Sequence, residues 1–501
     1  MLIKIGVLLI FTALSFEIIA ATSEVVCYHG TWSKYRTGNG TFTVSNIDPS
    51  LCTYLIYSFV GLNSTTGEVI SLDTYLDDTL GNLEAFTSLK SSYSNLKVLV
   101  AIGGWNEGSV KYSTVAASSE LRSAFIESAL SYCQENNFDG FDVDWEYPCD
   151  RGGTSADKEN FVTLLEELTT VFKANNLVVT VAVRAAATGV ALSYDVLGIS
   201  QYVDLIHVMT YDFHGSYDGV TGHNAPLYAS SIDTTTSALE LNVDAAITNW
   251  INQGANASKI TLGIPLYGRS FTLSSTDDVA LGATTSGAGT AGPYTQEAGY
   301  LGYNEIIEKQ LAGGWTIVWD DEQEVPHMYQ GDQWVGYDNE ASVKLKVQYA
   351  ISKGLAGVMV WSIETDDFLG LSGVKNPLLQ AINDEMGNSD SGSDSTTSTT
   401  TNSISTTSST ANGVSTTSST ANGVSTTSTT TNNTSSTSTT ASSSSSIPVC
   451  TQSGYFRSST DCSVYYYCSS AYSTPQELSC GLGLYYDTTN AVCNWSYLVD
   501  C

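Results

Sequence analysis

The sequence predicts an α/β fold in which a (β/α)8 barrel is followed by a linker and a small disulfide-rich β module. Two observations support the barrel. Apolar runs of strand length recur, and segments with helical periodicity lie between several of them, which indicates a parallel sheet buried on both faces. Eight such units fit a barrel better than an open doubly wound sheet, which stays the alternative. The runs are residues 24–29, 54–61, 96–102, 138–145, 177–184, 203–210, 259–267 and 355–362.

The first residues have the features of a secretory signal peptide. Lys4 precedes an apolar run over residues 5–16, and small residues follow it. A membrane anchor needs about 20 apolar residues, and Glu17 interrupts this run too early. We therefore expect residues 1–21 to be removed and the mature protein to be secreted into the extracellular space.

Composition narrows the possible partners. The chain has 51 acidic and 19 basic residues and a formal net charge of −32, which argues against nucleic acid or an anionic membrane as a partner. We expect a monomer that uses no metal ion or cofactor. Ten cysteines imply an oxidising compartment. The sequence is compatible with N-glycosylation, because it contains sequons at Asn39, Asn63, Asn256, Asn432, Asn433 and Asn494.

A segment dominated by Ser and Thr covers residues 388–446, where the decapeptide STTSSTANGV occurs twice in succession. Such a segment has too few apolar side chains to offset chain entropy, so it is predicted to be an extended, O-glycosylated linker. It separates a first folded part, residues 22–387, from residues 447–501. Within the first part, the gap before the eighth strand is long, which predicts an inserted subdomain at about 269–338.

The chemistry is concentrated in the segment DGFDVDWEYP at residues 139–148. On an extended strand Asp142, Asp144 and Glu146 share one face. Burying a row of acids is costly because like charges raise one another's pKa, so a catalytic role is favoured over a solvated edge strand. Glu146 falls at the end of the strand where barrel enzymes place their active sites. Asp139 is out of phase and is predicted to be structural.

This segment matches the DxxDxDxE signature of family-18 glycoside hydrolases. Eight further segments resemble the same family in order across residues 24 to 387. The resemblance implies a TIM barrel and implies that the insertion is the family's α+β subdomain. The segments are VCYHGTWSKYR (26–36), LIYSFVG (55–61), LKVLVAIGGWNEGS (96–109), MTYDFHGSYDGVTGHNAPLY (209–228), LGIPLYGRSFTL (262–273), YTQEAGYLGYNEI (294–306), WVGYDNEASVKLKVQYA (334–350) and GVMVWSIETDDF (357–368).

The resemblance also implies a mechanism, the retaining hydrolysis of β-1,4-linked N-acetylglucosamine with help from the substrate's own acetamido group. Glu146 would act as general acid and then as general base. Asp144 would hold the acetamido N–H, and Asp142 would share a proton with Asp144. Tyr211 would hydrogen-bond the acetamido oxygen, while Asp212 would contact the same sugar.

Further residues resemble the family's substrate cleft, in which flat aromatic side chains pack on sugar rings. Trp361 resembles the floor of the cleft. Two departures from the family pattern concern subsite preference: Tyr217 stands where many relatives have Trp, and Arg184 ends a strand that usually ends in a small residue. The other expected substrate-binding residues are Tyr28, Phe59, Gly104, Trp105, Met209, Tyr267, Arg269, Glu297 and Met359.

Residues 450–501 contain six cysteines among many aromatic residues, and so short a segment needs disulfides for stability. Zinc is a weaker interpretation because the segment has no C-x2-C pair and no His. The spacing resembles a chitin-binding domain of the peritrophin-A type. That resemblance implies the pairs Cys450–Cys468, Cys462–Cys501 and Cys480–Cys493.

The barrel part has four cysteines. We expect Cys27 and Cys52 to be bridged, which would tie the first strand to the approach of the second. Cys133 and Cys149 are expected not to pair with each other, because the height of the fourth strand separates them.

The sequence thus predicts an endo-acting chitinase whose partners are chitin and chitin oligosaccharides. A catalytically dead lectin or growth factor is one alternative, although such relatives typically lose the acid and Glu146 is present. An endoglycosidase acting on N-linked glycans is the other. Assays on a chitin oligosaccharide and an N-glycoprotein would separate the three functions.

Overall fold

The computed structural model describes residues 23–387, 454–458, 462–468, 475–479, 484–488 and 492–495. The chain divides into two compact units, Met1–Thr397 and Ser398–Cys501. The predicted signal peptide, residues 1–21, and the predicted linker, residues 388–446, lie outside the described residues.

Residues 23–387 form fifteen strands and eleven α-helices. The strands are β1 Glu24–Gly30, β2 Tyr54–Leu62, β3 Val69–Ser71, β4 Lys97–Gly103, β5 Gly140–Asp144, β6 Val178–Arg184, β7 Leu205–Met209, β8 Ile260–Pro265, β9 Tyr267–Leu273, β10 Thr285–Ala288, β11 Tyr300–Gly302, β12 Thr316–Asp320, β13 Val325–Gln330, β14 Gln333–Gly336 and β15 Gly357–Trp361. The helices are α1 Asn82–Ser88, α2 Val110–Ala117, α3 Ser119–Glu135, α4 Asp157–Ala174, α5 Ala187–Ser193, α6 Val196–Tyr202, α7 Thr236–Leu239, α8 Val243–Asn252, α9 Tyr303–Ala312, α10 Glu340–Ser352 and α11 Pro377–Met386.

Eight parallel strands close into a barrel in the order β1, β2, β4, β5, β6, β7, β8 and β15, and β15 pairs back to β1. The short β3 pairs antiparallel with β2. Each predicted apolar run overlaps one barrel strand. The predicted (β/α)8 TIM barrel is therefore confirmed, and the open-sheet alternative is wrong because β1 has a parallel partner on both sides.

The helices cover the outside of the barrel, as α3 illustrates. The hydroxyl of Ser118 accepts a hydrogen bond from the Leu121 N–H at 3.3 Å and so caps the helix start. Phe125, Ile126 and Ala129 are buried in the core between the helices and the strands. The helical periodicity of the sequence therefore identifies the face that packs on the barrel.

The insertion between β8 and α10 is an α+β subdomain, as predicted. Its sheet has the order β10, β9, β14, β13 and β12, with β11 on the other part of β9, and every pairing is antiparallel. Helix α9 follows β11 directly. Because β9 starts two residues after β8 ends, the subdomain rises from the same end of the barrel at which the site is expected.

The second unit contains a three-stranded sheet of β16 Gly454–Arg457, β17 Val464–Cys468 and β18 Gln476–Ser479, and a hairpin of β19 Leu484–Asp487 and β20 Val492–Trp495. Cys462 is buried and disulfide-bonded. The pairings of Cys450, Cys468, Cys480, Cys493 and Cys501 involve side chains that the structure does not describe, so these pairings stay predictions.

In the barrel, Cys27 and Cys52 form a disulfide, whereas Cys133 and Cys149 are both free thiols. The bridge links β1 to the residues just before β2, as the sequence predicts. Across the described parts of the chain, no helix combines the length and the apolarity needed to cross a membrane.

Candidate active site

The predicted acids lie in and directly after β5. Asp142, Asp144 and Glu146 are 0%, 4% and 8% exposed. The apolar residues that alternate with them, such as Phe141 and Val143, pack in the core beneath the helices. The alternation of the strand therefore turns all three carboxyl groups away from the helices, and Glu146 lies beyond the last strand residue.

Side chains from three other barrel strands, β1, β6 and β7, surround Asp142. The Tyr28 hydroxyl donates a hydrogen bond to its Oδ2 at 2.7 Å, and the Thr180 hydroxyl donates to its Oδ1 at 2.6 Å. His207 Nε2 lies 3.8 Å from Oδ1, and burial lowers the pKa of His207 to about 3, so this ring is neutral. Burial raises the pKa of Asp142 to about 6, although the two hydroxyl donors lower it.

Thr180 and His207 were not predicted from the sequence. The sequence feature that could have identified them is a polar residue among the apolar residues of a buried strand, in VVTVAVR for β6 and in LIHVM for β7. A buried polar residue needs a partner, and the partner of Thr180 is the predicted acid itself.

Asp144 and Glu146 have fewer partners than Asp142. Asp144 Oδ1 is buried without a hydrogen-bond partner. Burial, and then the charges of Glu146 and Asp142, raise the pKa of Asp144. Burial also raises the pKa of Glu146, against the opposing effects of the Tyr147 hydroxyl and the Arg151 guanidinium. The pKa of Glu146 is raised to about 7, so this carboxyl group can keep a proton near neutral pH, as a general acid must.

Tyr211 lies beside this pair. Its hydroxyl donates to the Met359 sulfur at 3.7 Å, and its ring stands edge-on to that of Tyr267 at 6.0 Å. The charge of Asp144 contributes to a raised Tyr211 pKa, after burial. Met359 is fully buried, and Met209 is partly buried. Tyr211 therefore keeps its proton and can act as a hydrogen-bond donor.

Asp212 joins the barrel to the inserted subdomain. Its Oδ1 accepts hydrogen bonds from the Tyr267 hydroxyl at 2.6 Å and from Arg269 Nε at 2.7 Å. Tyr300, which was not predicted, stacks on Tyr267 with ring centroids 4.4 Å apart. The structure thus brings three predicted residues together at one junction, and β11 supplies a fourth residue from within a segment that resembles the family.

An aromatic cluster surrounds Trp361 at the end of β15. Its ring centroid lies 5.6 Å from that of Tyr28 and 5.8 Å from that of Phe59. Trp32, which was not predicted, lies 6.1 Å from Trp361 and is 44% exposed. An exposed Trp stacked beside two other aromatic rings offers a flat surface to a ligand. The signal for Trp32 is its place in the segment at residues 26–36.

Trp105 and Gly104 follow β4. Trp105 is 60% exposed, and the Arg151 guanidinium lies 3.6 Å from the centre of its ring. Gly104 has φ +82°, and a Cβ atom there would lie 2.6 Å from the Phe59 ring. Only glycine allows this close approach.

Glu297 is the predicted residue that the structure does not bring into the cluster. It is exposed on the loop before β11. Within residues 23–387 its side chain makes no hydrogen bond or ion pair.

The two departures from the family pattern lie next to the site. The Tyr217 hydroxyl donates to the Asp212 carbonyl at 2.8 Å. Arg184 pairs with Asp150 at 3.1 Å, and its guanidinium lies 4.0 Å from the centre of the Tyr147 ring. Neither residue contacts the carboxyl group of Glu146 directly. Arg184 contacts Tyr147, the residue that follows Glu146.

No group of three or more His, Cys, Asp or Glu side chains in the described part of the chain is arranged to hold a metal ion. The chemistry that the site can perform is proton transfer by buried carboxyl groups beside an aromatic binding surface.

Comparison with known proteins identifies the family. The model of glycosyl hydrolases family 18 matches residues 24–366, and that of the chitin binding Peritrophin-A domain matches residues 450–501. Probable chitinase 2 of Drosophila melanogaster is 44% identical over 360 residues, which are 69% of this chain and 72% of that protein. The endochitinase of Manduca sexta is 38% identical over 396 residues, 77% of this chain and 71% of that protein.

A solved chitinase structure also resembles this chain. The group IV chitinase of Ostrinia furnacalis in complex with allosamidin superposes with a TM-score of 0.72 and 47% identity, over 73% of this chain and 99% of that chain. Because the family model covers the whole barrel and more than half of the sequence, the protein belongs to glycosyl hydrolases family 18 and also carries a Peritrophin-A chitin-binding domain.

Proposed function

We propose that this protein is an endo-acting chitinase that cleaves β-1,4 linkages between N-acetylglucosamine units with retention of configuration. The observation that carries the proposal is the trio of buried carboxyl groups at the mouth of the barrel, in which Glu146 has a raised pKa and lies next to Asp144. The relatives named as chitinases favour chitin as the substrate.

In this mechanism Glu146 protonates the glycosidic oxygen, and the leaving sugar takes that proton with it. The substrate's acetamido oxygen attacks the anomeric carbon, so no nucleophile from the protein is needed. Asp144 Oδ1, which has no hydrogen-bond partner in the structure, accepts the acetamido N–H. Glu146, now ionised, takes a proton from a water molecule whose oxygen attacks the anomeric carbon. The bond between that carbon and the acetamido oxygen breaks, which opens the oxazolinium ring.

The surrounding residues have supporting roles. Asp142 shares a proton with Asp144 and is kept in place by Tyr28 and Thr180. Tyr211 donates to the acetamido oxygen. Asp212 contacts the same sugar. The residues of the cluster that we propose to bind substrate are Tyr28, Phe59, Gly104, Trp105, Met209, Tyr267, Arg269, Met359 and Trp361. Glu297, which lies outside the cluster, stays a prediction.

The test compares a chitin hexasaccharide with an N-glycoprotein and follows the anomeric form of the first product by NMR. We expect cleavage of the hexasaccharide, a β-anomeric product, and no release of the N-glycan. Cleavage of the N-glycoprotein alone would identify an endoglycosidase. Binding of the hexasaccharide without cleavage would identify a lectin, and an α-anomeric product would contradict the retaining mechanism.

We also propose that the Peritrophin-A domain tethers a secreted, monomeric enzyme to insoluble chitin. A flexible linker raises the local concentration of the barrel at a surface that the domain holds, without any new contact in the cleft. Truncation after Gly387 is expected to leave hydrolysis of the soluble hexasaccharide unchanged and to reduce hydrolysis of insoluble chitin and retention on chitin beads. Equal retention of both forms would contradict the tethering role.

A further inference from the structure

Ser109 occupies a helix N-cap but does not cap the helix. It precedes α2, and its side chain accepts no hydrogen bond from the first turn, although Ser is among the preferred residues at this position because its oxygen usually accepts one. Ser109 is 1% exposed. Its hydroxyl is therefore committed to another role inside the protein.

That hydroxyl bridges the two neighbours of Glu146. It accepts a hydrogen bond from the Trp145 indole Nε1 at 2.6 Å and donates one to the Tyr147 carbonyl oxygen at 2.5 Å. Both bonds connect segments that are 36 and 38 residues apart in sequence. Ser109 thus holds the chain immediately before and immediately after the predicted general acid.

Arg151 holds Glu146 itself. Its Nη1 donates to the Glu146 carbonyl oxygen at 2.9 Å, and its Nη2 donates to the Trp105 carbonyl oxygen at 2.8 Å. Within residues 23–387, Arg151 is in no ion pair with an acidic side chain. Its guanidinium instead connects the main chain of Glu146 to the exposed Trp105, whose ring it stacks on at 3.6 Å.

These contacts fix a segment that has no strand hydrogen bonds. Strand β5 ends at Asp144, so residues 145–147 have left the ladder whose hydrogen bonds would otherwise fix them. Ser109 and Arg151 together supply one bond to the Trp145 side chain, one to the Glu146 carbonyl and one to the Tyr147 carbonyl. A catalytic carboxyl group has to be held to within a fraction of an ångström of its productive position.

We propose that Ser109 and Arg151 are positioning residues that clamp the backbone around Glu146 and thereby set the direction of its carboxyl group. The inference rests on the proposed function, because it concerns the same general acid. It requires that loss of the clamp lower kcat without an equal change in KM or in stability.

Ser109→Ala and Ser113→Ala form a matched pair. Ser113 is also buried, lies in α2 and donates one hydrogen bond, at 2.6 Å, to Asp157. We expect Ser109→Ala to lower kcat by about 10²-fold, the loss typical of a displacement of about 1 Å, with KM little changed. Ser113→Ala is expected to keep wild-type kcat, and Ser109→Thr, which retains the hydroxyl, to recover most of it. Thermal unfolding of all three variants shows whether a loss of activity is a loss of fold.

Arg151→Lys separates geometry from charge. Lysine keeps the positive charge but lacks the planar fork that reaches both carbonyl groups. We expect kcat to fall about 10-fold or more while the pH dependence of kcat/KM stays as in the wild type. The fold-change rests on the same loss of orientation. A Lys variant with wild-type kcat would mean that only the charge matters.

The clamp is overturned if Ser109→Ala retains the same kcat as Ser113→Ala, or if its loss of kcat is matched by a loss of folded protein that Ser109→Thr does not restore. If the proposed chitinase function is wrong, the outcome is distinguishable from failure of the clamp, because the wild-type protein itself would not cleave the chitin hexasaccharide. If the wild type cleaves the N-glycoprotein instead, the same ratios of variant to wild-type kcat are measured on that substrate.

Discussion

Two kinds of buried carboxyl group lie in the barrel, and they are held in opposite ways. Asp157 and Asp367 are both fully buried. Asp367 accepts the backbone N–H groups of the loop after β15, and Asp157 accepts those of the loop after β5. The donors to Asp367 are Gly370, Leu371 and Ser372 at 2.7–2.9 Å, and the donors to Asp157 are Cys149, Thr154 and Ser113 at 2.6–3.2 Å.

Asp144 is almost as deeply buried, yet its Oδ1 accepts no hydrogen bond. A carboxylate surrounded by backbone donors stabilises a loop, because the donors would otherwise be unsatisfied. A buried carboxyl group without donors costs stability and leaves an acceptor open for a substrate. The comparison shows that acids buried to a similar degree differ in hydrogen bonding: donors surround Asp157 and Asp367, whereas Asp144 keeps Oδ1 open for the proposed substrate contact.

The largest expected effect separates Glu146 from Asp367. Glu146→Gln keeps the shape of the side chain but cannot donate a proton, so turnover of the chitin hexasaccharide is expected to fall by at least about 10²–10⁴-fold. Binding of the hexasaccharide, measured by calorimetry, is expected to persist. Asp367→Asn is the control and is expected to keep wild-type turnover. Near wild-type turnover of Glu146→Gln would refute its assignment as the acid.

For stability the order of the two variants is reversed, and Asp367→Asn is expected to have the larger effect. Asp367→Asn replaces an acceptor oxygen by an amide that faces backbone donors, and the free energy of unfolding is expected to fall by about 1–3 kcal/mol. Glu146→Gln breaks no such contact and is expected to unfold no more easily than the wild type. Denaturant titration of both variants measures this. Equal destabilisation would remove the distinction between the two kinds of acid.

A pH series sharpens the comparison at Asp144. Its pKa is raised above the unfolded value by burial and by the charges of Glu146 and Asp142, so ionisation costs the folded state stability as pH rises through the raised pKa. Asn cannot ionise. Asp144→Asn is therefore expected to have a higher Tm than the wild type at neutral pH and above. The difference should shrink as pH falls through the raised pKa towards the unfolded value of about 4, and it should not change further below that pH. A constant difference would show that Asp144 does not titrate.

The smallest expected effect concerns Arg184. Burial has the largest effect on the pKa of Glu146 and raises it. The charge of Arg184 lowers this pKa and has the smallest effect among the neighbouring groups. In the proposed mechanism activity requires protonated Glu146 and is lost as pH rises through that pKa, so Arg184→Ala should move the alkaline limb of kcat/KM to slightly higher pH. The pH profile measures this. A shift to lower pH would mean that Arg184 acts through its contacts with Tyr147 and Asp150.

The sequence by itself determined the local elements. Strands buried on both faces have to be apolar along their whole length, so the eight runs identified the barrel strands to within a few residues. Alternation along β5 placed Asp142, Asp144 and Glu146 on one face, because the side-chain period of a strand is two. The position of Glu146 at the carboxyl end of the strand then marked it as the acid nearest the substrate, and the family motif implied its role as general acid.

Only the tertiary structure decided which polar groups meet. Tyr28 reaches Asp142 across 114 residues of sequence, and Ser109 reaches Trp145 across 36. The acids of ETDDF and DVDWE look alike in the sequence, yet Asp367 accepts three N–H groups and Asp144 Oδ1 accepts none. The physical reason is that periodicity is fixed by the local backbone, whereas a hydrogen-bond partner is fixed by the closure of the barrel, which brings distant segments together.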